Sequence, residues 1–170
     1  MLNLPKDDPV TDQALLEFEY KAIHHELEPF FASEPVPQEQ EGTQSLTVVG
    51  KTLGEFVRRK ERVKVVLLYS LTENCQACPA ILEQYQQFAA DYPRKEEVTF
   101  GHFNTLLNDH PAIRDEKTPN LIIFAEERHH APYEMPADDF QQLDVFLHQL
   151  LSESPEDDSD EEEPSEDETL

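Results

Sequence analysis

Two rhythms of apolar positions alternate along this chain. Between residues 11 and 31, Leu16, Tyr20, Ile23, Leu27 and Phe30 recur at steps of four and three, which aligns them on one face of a helix. Thr11 is its N-cap, and Pro29, Pro35 and Pro37 mark its far end. Residues 1–10 are polar, broken by proline and frayed. Residues 33–44 (SEPVPQEQEGTQ) have no period and predict a linker. Residues 45–49 then predict a strand. Gly50 breaks it, and a helix follows over 52–59 with Leu53, Phe56 and Val57 inward. The run at 65–71 is dense in Val and Leu, as suits a central strand buried on both faces. Over 77–92, Ile81, Tyr85, Phe88 and Tyr92 fall at steps of four, three and four, a helical core stripe. Pro79 lies in the first turn, where a missing N–H costs little, and Pro93 ends the helix.

The remainder predicts a strand at 98–103 and a mixed segment at 104–117 with a short helix after His110. A strand at 121–125, a turn at 126–128 and a return strand at 131–135 come next. The last helix covers 138–151 with Phe140, Leu143, Phe146, Leu147 and Leu150 inward. Such alternation implies an α/β domain over 45–151 with a mixed central sheet flanked by helices, parallel in part and closed by an antiparallel hairpin. Its size suffices for an independent core. The helix in residues 1–32 does not bury its own stripe. It docks on the following domain, pairs with another chain, or is the remnant of a preceding domain.

Charge narrows the partners. The chain of 170 residues holds 13 basic and 37 acidic side chains, net -24, which argues against nucleic acid and anionic membrane surfaces. Residues 152–170 contain eleven acids and no base, so the tail reads as solvated and disordered. Ser154, Ser159 and Ser165 sit among those acids as candidate sites for an acid-directed kinase, although a plain solubilising tail is the simpler reading. No apolar run reaches transmembrane length. The opening MLNLPKDDPV lacks the apolar core of a secretory signal.

The candidate chemistry lies in residues 63–79, VKVVLLYSLTENCQACP. The apolar strand gives way to a polar turn, then to Cys75 and Cys78, then to a helix. Unpaired N–H groups at a helix N-terminus favour thiolate over thiol. Cys75 is then the exposed, attacking sulfur, and Cys78 lies one turn deeper. Cys-x-x-Cys at a strand-to-helix junction is a redox arrangement. Structural zinc uses the same spacing but needs two further ligands, and no histidine is suitably spaced near the motif. Two buried, inert cysteines are the blander alternative. The adjacent His24 and His25 diverge on a helix and suit a solvated face, since paired helical ligands prefer a spacing of four. No metal or cofactor is expected.

With these residues in view, residues 11–170 resemble the C-terminal part of a protein disulfide isomerase. The resemblance rests on the segment SEPVP, the strand LTVVG with Phe56, the motif NCQACP, Thr118-Pro119 before LIIF, and the acidic tail. It implies a thioredoxin-like fold, a cis Thr118–Pro119 bond whose loop holds substrate backbone, and disulfide exchange on unfolded or disulfide-containing client proteins. A cis bond is tolerated before proline and rare elsewhere. Several positions depart from the family. Asn74 replaces a Trp, Gln76-Ala77 replace Gly-His, and Glu83 replaces a helix-kinking Pro. Tyr69 stands where the family keeps a buried carboxylate that takes the second thiol's proton. Glu116 stands for an Arg, with Arg114 two residues further back. These changes imply a weak oxidoreductase with a slow Cys78. The alternative is a redox-degenerate chaperone or binding module on the same scaffold. Resemblance points to the endoplasmic reticulum lumen. The absent signal and the Asp-Glu-Thr-Leu end, unlike a Lys-Asp-Glu-Leu tail, leave a cytosolic protein or a fragment open. Oligomeric state is not legible.

Overall fold

The computed structural model describes residues 11–26, 31–38, 40, 42–113, 117–126 and 131–152. Leu27 and Phe30 of the first stripe, Arg114 and Glu116, most of the hairpin turn and the acidic tail lie outside them. The element order is α1 (Asp12–Ile23), β1 (Ser45–Thr47), α2 (Leu53–Val57), β2 (Val63–Tyr69), α3 (Cys78–Asp91), β3 (Val98–Asn104), β4 (Asn120–Ala125), β5 (Tyr133–Pro136) and α4 (Phe140–Ser152).

The five strands form one sheet in the order β1-β3-β2-β4-β5. β3 runs parallel to both β1 and β2, while β4 is antiparallel to β2 and β5 to β4. β2 is central, and every residue of it is buried. Its alternate side chains serve two cores. Val63, Val65, Leu67 and Tyr69 face α3 and α4, meeting Tyr85, Leu143 and Leu147. Val66 and Leu68 face α2, meeting Leu53 and Phe56. Burying each such aliphatic side chain contributes about 1.5–3 kcal/mol.

Single contacts lock the layers. The fully buried Tyr85 hydroxyl lies 2.9 Å from the carbonyls of both Val65 and Gly101, tying α3 across β2 and β3. On the opposite face Gly101 lets α2 approach closely. A Cβ there would lie 2.6 Å from Val48 Cγ2 and 2.8 Å from Phe56 Cζ. α4 starts where Asp139 Oδ1 accepts the N–H groups of Gln141 and Gln142, an N-cap arrangement.

Several expected bounds shift. β2 covers 63–69, not 65–71, because its ladder starts where Val63 N–H donates to Glu97 and ends as the chain turns at Ser70. Among the described residues between His110 and β4 there is no helix. His110 instead pairs with Ile113 as an isolated bridge, and its Nδ1 accepts the Ala112 N–H at 3.1 Å. α1 begins at the expected N-cap, with Thr11 Oγ1 accepting the Ala14 N–H. It ends at Ile23, and His25 takes a left-handed φ of 57°. Leu16, Tyr20 and Ile23 are exposed and α1 buries no residue, so docking of this stripe on the domain is not observed among the described residues.

The segment after α1 behaves differently from a free linker. Residues 31–38 form an extended strap fastened to the domain. The Asp109 N–H donates to the Ala32 carbonyl at 2.8 Å. Asn108 accepts the N–H groups of Glu34 and Gly50 on Oδ1, and its Nδ2 donates to Glu34 Oε2 at 2.7 Å. Gly50 makes room, since a Cβ there would lie 2.6 Å from the Ala32 carbonyl oxygen. Beyond the strap, Gln40 pairs with the backbone of Thr47 through both its amide atoms.

Candidate redox site

β2 ends at Tyr69, and the chain crosses a turn to reach α3. Cys75 sits in that turn, its N–H bonded to the Thr72 carbonyl. The sequence reading sets Cys75 at the N-terminus of a helix whose stripe runs over 77–92, without assigning Cys75 as its first residue. In the structure the first helical residue is Cys78, with Pro79 in the first turn. Cys75 and Cys78 are joined in a disulfide. Cys75, expected to be the exposed sulfur, is buried in the disulfide, although less completely than Cys78. Cys75 is 6% exposed and Cys78 0%. The Ser70 N–H lies 3.4 Å from Cys78 Sγ and donates to it, which fixes the inner sulfur against the end of β2.

The Thr118–Pro119 bond is cis, as the resemblance implied. Asn120 pairs with Leu68 in the β2–β4 ladder, so the next position, Pro119, falls level with Tyr69. The topology thus brings the cis-proline loop and the cysteine turn to one end of the sheet. Gln76 and Ala77, between the cysteines, are exposed and uncharged, and Glu73 beside them is exposed too. No cation from this turn supports a thiolate at Cys75.

Behind the disulfide the sheet carries a polar cluster that the sequence reading did not single out. Tyr69 is buried, and burial, with a smaller contribution from the Glu34 carboxylate, holds its phenol above the ordinary range. It stays protonated at neutral pH. Its ring lies 5.9 Å from that of His102 on β3. His102 is 7% exposed. Its Nδ1 is 2.9 Å from Ser45 Oγ and its Nε2 3.2 Å from Thr47 Oγ1. Burial pushes the imidazole pKa down, and Glu34 partly opposes the shift. The one sequence signal for this residue was a lone histidine two positions after Phe100, on the inward rhythm of an otherwise apolar strand.

No protein-family model matches the chain. It is 26% identical to protein disulfide isomerase-like 1-5 of Arabidopsis thaliana over 150 residues, 87% of this chain and 27% of that protein. It is 28% identical to the protein disulfide-isomerase of Humicola insolens, across 62% of this chain and 21% of that one. The chain therefore spans about a quarter of the length of these curated relatives. Among solved structures, the long form of thioredoxin f from spinach chloroplast matches with a TM-score of 0.50 at 17% identity, over 65% of this chain and 89% of its own. A mutant thioredoxin from Halobacterium salinarum gives 0.50 at 15%, over 69% and 100%. The chain has a thioredoxin-like fold and is similar, at modest identity, to protein disulfide isomerase-like proteins.

Proposed function

We propose that the module exchanges disulfides with unfolded or disulfide-containing proteins. Cys75, the more exposed sulfur, attacks a client disulfide as thiolate and forms a mixed disulfide. Cys78 then attacks Cys75, the client sulfur leaves, and the internal bond re-forms. The client gains two electrons and the pair loses them, so no cofactor enters. Thr118 and Pro119 hold the client backbone beside Cys75. The observation that carries this reading is the Cys75–Cys78 bond at the mouth of α3, level with the cis-proline loop at the same sheet end. Resemblance favours the endoplasmic reticulum lumen as the place of action.

The second reading is a binding module for unfolded chains. The exposed stripe of Leu16, Tyr20 and Ile23 on α1 favours it, as does the burial of both sulfurs. Insulin reduction driven by a small dithiol separates the two. The wild type accelerates chain separation and Cys75→Ser falls to the background rate. Equal rates for the two proteins would remove the catalytic reading, and suppression of aggregation that survives the substitution would support the binding one.

A further inference from the structure

Among the described residues nine large apolar side chains are exposed, and four of them belong to α1. Of the other five, three lie together: Leu71 in the cysteine turn, and Leu106 and Leu107 just past the end of β3. Single exposed apolar side chains need no explanation, whereas a group of them marks a contact surface. This group stands beside the disulfide.

One peptide group fixes the distance. The carbonyl of Tyr69 accepts the Thr105 N–H at 2.9 Å and the Thr105 hydroxyl at 3.3 Å. The N–H of the same Tyr69–Ser70 peptide donates to Cys78 Sγ at 3.4 Å. Allowing for the width of one peptide group, the Thr105 nitrogen lies within about 9 Å of that sulfur. Leu106 follows Thr105 directly, and Leu71 follows Ser70. The two bonds leave the peptide in opposite directions, because its C=O and N–H are trans. The sulfur and the leucine turn therefore flank the end of β2 on opposite sides, the leucines on the side of β3. β4, with the cis-proline loop before it, borders β2 on the far side from β3. Across this end of the sheet the order is cis-proline loop, disulfide, leucine turn.

The leucine turn is firmly held. Asn104 Oδ1 accepts the Leu106 N–H at 3.1 Å, and the Asn104 carbonyl accepts the N–H groups of Leu107 and Asn108. Asn104 and Asn108 are buried on either side of the two exposed leucines. Asn108 Nδ2 also donates to the Asn104 carbonyl, while its Oδ1 holds the strap through the Glu34 N–H. A surface fixed in advance loses little freedom when a flexible chain settles on it. Its charge also selects. Glu73 and Asp109 are exposed two positions from Leu71 and Leu107, so an acidic group docking there meets like charge.

Resting on the exchange reading above, we infer that Leu71, Leu106 and Leu107 form a specificity subsite for a large aliphatic side chain of the client, about three residues from the client cysteine. An extended chain rises about 3.3 Å per residue, which sets that spacing. The occupant is the client segment itself, because the patch continues the exchange site across the sheet end, opposite the loop of Thr118 and Pro119.

The probes are short serine-based peptides whose single cysteine is capped by thionitrobenzoate. They carry Leu, Ser or Asp at the third position before or after the cysteine. Each is mixed with the reduced full chain, and release of the yellow thiol is timed. In one of the two directions the Leu peptide reacts about 10-fold faster than the Ser peptide, and the Asp peptide is slower than both. Leu106→Ser with Leu107→Ser erases the preference, and Leu106→Met with Leu107→Met keeps it. Equal rates for Leu and Ser peptides in the wild type, or a preference that survives in the serine variant, would overturn the inference. If the serine variant does not fold, Leu71→Ser carries the test: a smaller Leu-to-Ser ratio is expected, and an unaltered ratio contradicts it. Peptides that react no faster with the wild type than with Cys75→Ser count against the exchange reading itself. The subsite is then decided without exchange, by titrating fluorescent Leu and Ser peptides, with serine in place of the cysteine, onto the oxidised chain. Tighter binding of the Leu peptide, lost in Leu106→Ser with Leu107→Ser, upholds the subsite, and equal binding overturns it.

Discussion

His102 and His110 both hold a neutral imidazole in the folded state, and burial lowers the pKa of each. The consequence for stability has a definite sign. An unfolded histidine titrates near 6.5, and the folded pKa lies below that. As pH falls from about 7 through this window, the unfolded chain binds protons first, so stability is fully present above the unfolded pKa and lost on acidification. Thermal unfolding followed between pH 7.5 and 5.5, as an order-of-magnitude window around that pKa, should show the midpoint falling with acid. The fall should be shallower in His102→Gln, and an equal slope would show that His102 stays neutral or charged in both states alike. His102 escaped the sequence reading because one histidine in a strand carries no spacing signal. Only the pairing of β3 with β1 and β2 supplied Ser45, Thr47 and Tyr69 around it. Cys75 and Cys78 were legible because their spacing along the chain is itself the motif, whereas the cis Thr118–Pro119 bond came only through the family resemblance.

Among the elements, the long helices of the domain were readable from periodicity and the central strand from its unbroken apolar run. Tyr85 does fall on the buried stripe of α3, and Leu143 and Leu147 on that of α4. The strap was not readable. It has no apolar rhythm, and its attachment runs through backbone groups and the buried amide of Asn108, some seventy positions away. Loss of that amide strands the buried Gly50 N–H, a penalty of about 1–3 kcal/mol. Asn108→Ala should therefore unfold at lower denaturant, with Gly50→Ala acting in the same direction by colliding with the Ala32 carbonyl. Truncation divides the N-terminal region more sharply. Removing residues 1–26 takes away α1, which buries nothing, and should leave the denaturation midpoint unchanged. Removing residues 1–40 strips the strap and should lower the midpoint, for a stability loss of about 1–3 kcal/mol. Equal midpoints for the two truncations would show that the strap contributes nothing to stability.

At the scale of the whole molecule, the sheet places two loops and one helix N-terminus at one end, and the disulfide lies where they meet. Its poise follows from what surrounds Cys75. Strongly oxidising pairs have a reduced form stabilised by neighbouring cations or hydrogen bonds to the thiolate. Here the intervening residues Gln76 and Ala77 are neutral and Glu73 is acidic, so the reduced form gains little and the bond resists opening. The most direct measurement is equilibration of the full chain against graded ratios of reduced and oxidised glutathione, reading the state of Cys75 and Cys78 by mass after alkylation. A single reversible two-electron transition is predicted, with a midpoint near the thioredoxin value of about -270 mV. A midpoint near the isomerase value of about -180 mV would contradict the account of the poise. A pair that stays wholly bonded, or wholly free, across the entire range would contradict the claim that these two sulfurs exchange at all.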